Sequence, residues 1–295
     1  MPLRSREYTQ GTEPMKLLFY SKGLYSTWLY YAPDRIAFDA GEGMSTILGN
    51  KAFAIQHVFL SHGHADHISG LIGLINIRNS GMGDTEKPLH IYYPKGNWRV
   101  VELMAYIART NPNLSYELFW TPLEVGERVQ LFEGQHGRYA EAFSTHHTKS
   151  EVSLGYNIIE TRRRLKSEFQ GMNEVEIHNV VKKEGREAIT ETYPQKLFSY
   201  SGDCIPIDPE DVKETEILCH EATFLDEADR ENQTHSTLLE AIDVAQKAHV
   251  KRELYIFHLS SRYRTELQKY ESELAKLSVG FKIFLVPPGK ICRYE

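Results

Sequence analysis

Cysteine is scarce in this sequence. Three thiols (Cys204, Cys219 and Cys292) in 295 residues are too few and too scattered for a disulfide framework or a cysteine-rich zinc site. Their scarcity suits a reducing compartment and leaves any metal to histidine and carboxylate. Long apolar runs are also missing. The strongest, Leu71–Ile77, is far short of the roughly 20 residues of a membrane span, and Met1-Pro-Leu-Arg-Ser-Arg has no apolar signal region behind it. The expectation is a cytoplasmic protein with no membrane partner. Nor is positive charge in excess: 34 Lys and Arg against 40 Asp and Glu give a net charge of −6, which excludes a strongly basic nucleic-acid binder. A phosphodiester substrate is not excluded, because two bound divalent cations would offset about four of those charges at one spot. The absence of low-complexity tracts or a long linker, with 41% hydrophobic residues, rules out disorder, collagen and coiled coil as descriptions of the whole.

Short β-rich runs alternate with helical patterns from end to end, which points to α/β or α+β layering. Residues 16–20, 26–31 and 35–39 read as strands of a small antiparallel sheet, and 56–60 as a further strand before a buried helix over 68–77. Farther on, 97–110 reads as a helix, 116–120 and 128–133 as extended, and 140–160 as two strands around a polar turn. Strands are expected at 197–201, 216–219, 253–258 and 281–286, and helices at 236–248 and 263–277. The whole chain, 1–295, is expected to form one domain. Its charged stretch at about 161–196, with Arg162-Arg-Arg-Leu-Lys166 and a short helix over 173–183, is expected to be an exposed excursion.

Chemistry concentrates in Ser61-His62-Gly63-His64-Ala65-Asp66-His67, which follows a strand directly. Three imidazoles and a carboxylate on one strand-to-helix turn can converge on a single cavity, and both donor types suit zinc and related divalent ions. The plainer reading is a polar turn in which Asp66 caps the helix near Ile68. Chance rarely puts four such donors in so short a window.

The spacing His62, His64, Asp66, His67 resembles the metallo-β-lactamase superfamily motif His-x-His-x-Asp-His. The resemblance implies an αββα sandwich, two mixed sheets flanked by helices, with a dinuclear metal site at one edge. It also implies a later histidine at a strand end, for which Thr145-His146-His147-Thr148 is the candidate. His147 shares strand parity with Phe143 and Thr145, whereas His146 would face the other side. Ser199-Tyr-Ser-Gly-Asp203 resembles the segment that supplies a bridging aspartate, and Tyr255-Ile-Phe-His258 supplies the last histidine. The implied set places His62, His64 and His147 on one metal, Asp66, His67 and His258 on the other, and Asp203 between them. Zinc is the default for these donors, with manganese and iron as alternatives.

Further motifs resemble the ribonuclease Z family of tRNA 3′-processing endonucleases: Asp39-Ala-Gly-Glu-Gly43, His220-Glu-Ala-Thr-Phe224, His235-Ser-Thr237 and His258-Leu-Ser-Ser-Arg-Tyr263. The resemblance implies a metal-dependent phosphodiesterase that cleaves 3′ trailers from precursor tRNA as a homodimer. In it, Asp66 would hold a metal and orient the attacking water. His235, oriented by Glu221, is the candidate general acid, and Arg262 a candidate phosphate clamp, an ordinary ion pair being as reasonable for it. Two departures stand out. Phe19-Tyr-Ser-Lys-Gly23 takes the place of a Gly-rich opening, and residues 161–196 carry no Gly-Pro pair where the family extends a tRNA-binding arm. They leave open a small-molecule phosphodiesterase, acting for example on a cyclic nucleotide. A non-catalytic RNA-binding subunit would be expected to have lost ligands, and every expected ligand type is present. The Arg162–Lys166 cluster is either an RNA-backbone contact or a solvated face. His57, His90, His136, His178 and His249 fit no motif.

Overall fold

The computed structural model describes residues 17–81, 87–133, 137–230 and 233–294. His136, Lys16 and the Met1–Arg6 stretch lie outside the described residues. Two seven-stranded sheets are present among the described residues. The first contains β1 (Leu17–Lys22), β2 (Ser26–Tyr31), β3 (Ile36–Phe38), β4 (His57–Phe59), β5 (Leu89–Pro94) and β6 (Leu118–Leu123), with β14 (Ile291–Tyr294) added beside β1. The second holds β7 (Arg128–Phe132), β8 (Arg138–Thr145), β9 (Ser153–Leu165), β10 (Thr190–Tyr200), β11 (Ile217–Glu221), β12 (Glu253–Phe257) and β13 (Lys282–Leu285), in that spatial order. Both sheets are mixed. Strands β3 to β6 run parallel in one, and β10 to β13 in the other.

Strand alternation divides the apolar residues into three layers. Phe38, Phe59, Tyr156, Phe198, Tyr200 and Phe257 point between the sheets and pack ring on ring. Their neighbours Ala37 and Val58 face outward to helices α1 (Met44–Leu48), α2 (Ala65–Ile68), α3 (Leu71–Gly81) and α4 (Trp98–Thr110). On the far side, Leu218, Leu254 and Ile256 face helices α7 (Leu238–Lys247) and α8 (Leu267–Leu274). The αββα sandwich expected from the sequence is therefore present. No helix of the described residues is long and apolar enough to cross a membrane.

Several boundaries differ from the sequence expectation. The single helix placed at 68–77 is two, α2 and α3, broken at Ser69-Gly70. Gly70 donates its N–H to the Ala40 carbonyl at 2.8 Å, and a Cβ there would lie 2.0 Å from the Gly41 carbonyl oxygen, so only glycine lets the two segments meet. The break has a consequence for Asp66: it sits inside the first turn of α2, with His64 as the N-cap residue, and does not cap a helix at Ile68. The helix placed at 263–277 is a 3-10 turn over Ser261–Thr265 followed by α8. Strands β5 and β14 have no counterpart in the sequence reading. β5 has six residues, as many as β1, and β14, of four, follows a turn whose Gly289 N–H bonds to the Ser21 carbonyl.

The 161–196 stretch begins and ends in sheet, with helices between. Strands β9 and β10 continue as an antiparallel ribbon in which Arg162, Arg163 and Arg164 pair across to Tyr193, Thr192 and Glu191. At its end sit α5 (Glu174–Glu184), started by an Asn173–Glu176 capping box, and α6 (Arg186–Ile189). The arginines do not stand free. Arg162 bonds to Glu160 and Glu216, Arg163 lies 3.8 Å from Glu187, and Arg164 bonds to Glu191.

Candidate metal and catalytic site

Residues that follow the C-terminal ends of parallel strands gather at one edge of the sandwich, where such sheets commonly hold ligands. Asp39 follows β3, His62 to His67 follow β4, Asp203 follows β10, Glu221 ends β11 and His258 follows β12. His147 arrives two residues past β8. The turns are tightly docked: Gly202 has φ 64°, and a Cβ on it would fall 2.3 Å from the Ser61 Cβ. The Leu154 N–H also bonds to the Ser61 carbonyl at 2.9 Å.

Two groups of donors lie side by side. His62, His64 and His147 form one, and Asp66, His67, Asp203 and His258 the other, with the candidate ligand atoms of each group within 4.8 Å of one another. Within the first, His147 Nε2 approaches His64 Nδ1 to 3.2 Å. In the second, Asp203 Oδ2 is 3.3 Å from His67 Nε2 and 3.1 Å from His258 Nε2, while Asp66 Oδ2 is 3.7 Å from both. His146 is exposed and contributes only its carbonyl, which accepts the Ile205 N–H, so geometry selects His147 of the neighbouring pair.

Hydrogen bonding fixes which nitrogen of each ring is free. Asp39 is fully buried and its Oδ2 accepts from the Ser61 hydroxyl, the Tyr200 hydroxyl and His67 Nδ1–H, at 2.8, 2.7 and 2.7 Å. Having given its proton to Asp39, the Ser61 oxygen accepts from His62 Nδ1–H at 2.9 Å. The Thr223 hydroxyl likewise donates to Glu221 Oε2 and accepts from His258 Nδ1–H at 2.9 Å. The Thr234 carbonyl accepts from His147 Nδ1–H, also at 2.9 Å. Each ring therefore turns a bare Nε2 toward the cavity. His62 Nε2, His67 Nε2, His258 Nε2 and Asp203 Oδ1 are all buried without a hydrogen-bond partner. Four orphaned acceptors converging at one place are costly unless a cation joins them, which is how a divalent metal fits these residues. The electrostatics agree. Burial drives the His62 ring well below its ordinary pKa and lowers His64 and His147, keeping these donors neutral. Around His67, burial is opposed by the Asp203 and Asp39 carboxylates, which raise it well above the ordinary value: that pocket calls for positive charge.

Beside the donors stands a His–Glu pair. Glu221 is fully buried and its carboxylate accepts the N–H groups of Cys204, Thr223 and Ser236 as well as His235 Nδ1–H at 2.9 Å. Burial disfavours the charged His235 ring, but Glu221 outweighs it and pushes the pKa up to about 9. The His235 ring lies 4.7 Å from that of His147 and 5.2 Å from that of His258, centroid to centroid. Capping of α7 falls to Thr237, through a box with Glu240, so His235 is spared that role. Arg262 is turned differently, toward Ser260 at 3.3 Å, Asp229 at 3.9 Å and the Phe224 ring.

Two residues of the site escaped the sequence reading. Asp39 was visible there only as part of a motif, without a role; its left-handed backbone (φ 55°), shared by His258 (φ 62°), is the kind of strain that a structure reveals. Glu151 had no signal at all. Its side chain is almost fully buried, accepts the Gly63 N–H and the Asn97 amide, and pairs with Arg99, so it fixes the His62-Gly63-His64 turn from behind.

Comparison with known proteins agrees with this architecture. Residues 34–166 match the family model of the beta-lactamase superfamily domain. A ribonuclease Z of Natronomonas pharaonis is 31% identical over 279 residues, covering 87% of this chain and 87% of that protein. The chain belongs to the ribonuclease Z family. Among solved structures, the metallo-beta-lactamase fold protein YhfI of Bacillus subtilis superposes with a TM-score of 0.64 at 17% identity, covering 95% of this chain and all of the other. The short form of human tRNase Z gives 0.62 at 22%, with the same coverage. At those identities the two structures speak for the fold. Membership of this family makes the protein a metal-dependent hydrolase.

Proposed function

We propose that this protein is a dinuclear metal-dependent endoribonuclease that cleaves 3′ trailers from precursor tRNA. The observation that carries the reading is the convergence of bare, buried histidine nitrogens and Asp203 on one cavity, next to a histidine hydrogen-bonded to the buried Glu221 carboxylate. His62, His64 and His147 would hold one cation, Asp66, His67 and His258 the other, with Asp203 shared. The donor set favours zinc. Bound divalent cations supply Lewis-acid charge neutralisation and make water acidic enough to react near neutral pH.

The chain's own residues do the rest. Asp39, Ser61, Thr223 and the Thr234 carbonyl hold the imidazoles in one tautomer and orientation, so the donors need no rearrangement when substrate arrives. Asp66 orients the attacking water. His235 gives a proton to the leaving 3′-oxygen, and Glu221 holds the ring in place and stabilises its charge. Arg262, facing Asp229 at the rim, is assigned no more than a part in phosphate binding. A homodimer is the assembly supported by the family resemblance, and sedimentation velocity would check it.

A second reading is favoured by one observation: Arg162, Arg163 and Arg164 at the base of the 161–196 stretch are matched by carboxylates, so this arginine cluster is not a free basic clamp for RNA. That suits a small phosphodiester. A side-by-side assay of metal-loaded protein on a trailer-bearing precursor tRNA and on a small chromogenic phosphodiester, with Asp66→Ala as control, separates the two. Cleavage of the precursor at one site is the expected result. Turnover of the small diester alone would reject tRNA processing while keeping the metal chemistry.

A further inference from the structure

Two aromatic side chains stand exposed at the two sides of the donor cluster, each with a cation laid on its ring. On the His258 side, the turn between β1 and β2 brings Gly23 so close that a Cβ there would lie 3.4 Å from the His258 Cε1. The next residues point outward: Tyr25 is 60% exposed, with Lys22 Nζ 3.6 Å from its ring centroid. On the His64 side, α4 begins at Trp98, which is 59% exposed, and Arg99 Cζ lies 4.7 Å from that ring. Arg99 in turn pairs with Glu151, whose Oε1 is 3.9 Å from His64 Nε2. Single exposed apolar residues are ordinary on protein surfaces. A ring and cation together on each flank of a hydrolytic centre are not accounted for by packing, since neither ring contributes to an apolar cluster of the interior.

We infer that Tyr25 with Lys22, and Trp98 with Arg99, are two nucleotide subsites, each stacking one unpaired base on either side of the scissile phosphate. The inference rests on the reading of the site as a phosphodiesterase for RNA. A ring covered on one face by its own cation keeps the other face for a base; Lys22 has no carboxylate partner among the described residues and is free to meet a phosphate, whereas Arg99 is held by Glu151, so the Trp98 side offers the ring alone. Stacking tolerates any base, which suits trailers of varied sequence. It also provides RNA contacts at the site itself, independent of the carboxylate-paired Arg162, Arg163 and Arg164.

The test uses metal-loaded full-length protein. Among the described residues Trp28 is buried, Trp120 half-buried and Trp98 exposed, so Trp98 fluorescence reports on its own subsite. Hexaadenylate RNA is expected to quench it, an abasic hexamer of equal charge is not, and Trp98→Phe removes the response. In steady-state cleavage of a precursor with an unpaired trailer, Tyr25→Ala and Trp98→Ala are each expected to raise KM about tenfold. The loss on methyl 4-nitrophenyl phosphate, which offers no base to either ring, is expected to be at least tenfold smaller. Phe132→Ala, on the edge strand β7, is the control for removal of an exposed ring. Equal quenching by the abasic hexamer, or an unchanged KM in the double variant, overturns the subsites while the wild-type cleavage still upholds the nuclease reading. Wild-type protein that hydrolyses the small diester and neither binds nor cuts RNA overturns both.

Discussion

At the scale of single residues, the site works by assigning protons. Asp39 is the clearest case. Nothing in Asp39-Ala-Gly-Glu-Gly43 says what the aspartate does; the structure shows it gathering Ser61, His67 and Tyr200 onto its carboxylate, so that two rings, His67 directly and His62 through Ser61, expose the correct nitrogen. Asp39→Asn is therefore expected to lower metal affinity by about 10–100-fold, read by competition with a chelator, without touching a ligand. In the proposed mechanism His235 acts on the substrate instead. Its replacement by alanine is expected to leave the metal content intact and reduce kcat about 10²–10⁴-fold, because general acid catalysis contributes that much. A loss of only a few-fold would remove His235 from the acid role.

At the scale of elements, what the sequence disclosed and what it hid follow a physical line. The candidate donors were legible because His62, His64, Asp66 and His67 fall in one short motif and the resemblance to a known family pointed to His147, Asp203 and His258; the structure brings these side chains together. Glu151 was not legible, because a charged residue in a polar loop carries no periodicity; only the fold brings it under Gly63. The Ile68–Ile77 helix was misjudged for a related reason: the apolar spacing continues across a break imposed by close packing of Gly70 against Gly41. Gly70→Ala is expected to destabilise the protein by more than about 2 kcal/mol, seen as a lower midpoint in urea unfolding, since the clash is with backbone and cannot relax by a rotamer change. In the charged stretch at 161–196 the short helix was legible, but the continued pairing of β9 and β10 was not. Replacing Arg162, Arg163 and Arg164 by glutamine is expected to leave the salt dependence of RNA binding unchanged, because each already faces a carboxylate; a shallower slope would place them on the phosphate backbone.

At the scale of the whole molecule, the layered fold explains why a chain with a net charge of −6 can act on a polyanion. Two sheets end together at one edge, their inner faces locked by aromatic rings, and the seven donors meet there because their strands terminate at the same level. Positive charge is then imported as metal at a single point and need not be spread over the surface. The account stands or falls on that import. Its most direct test is the metal content of the purified chain, equilibrated with a divalent ion, dialysed against metal-free buffer and analysed by mass spectrometry of the elements. Two ions per chain are expected for the wild type and at most one for Asp203→Ala, whose carboxylate would serve both groups. A wild-type chain that keeps none, or that keeps the same number with and without Asp203, would contradict the dinuclear site.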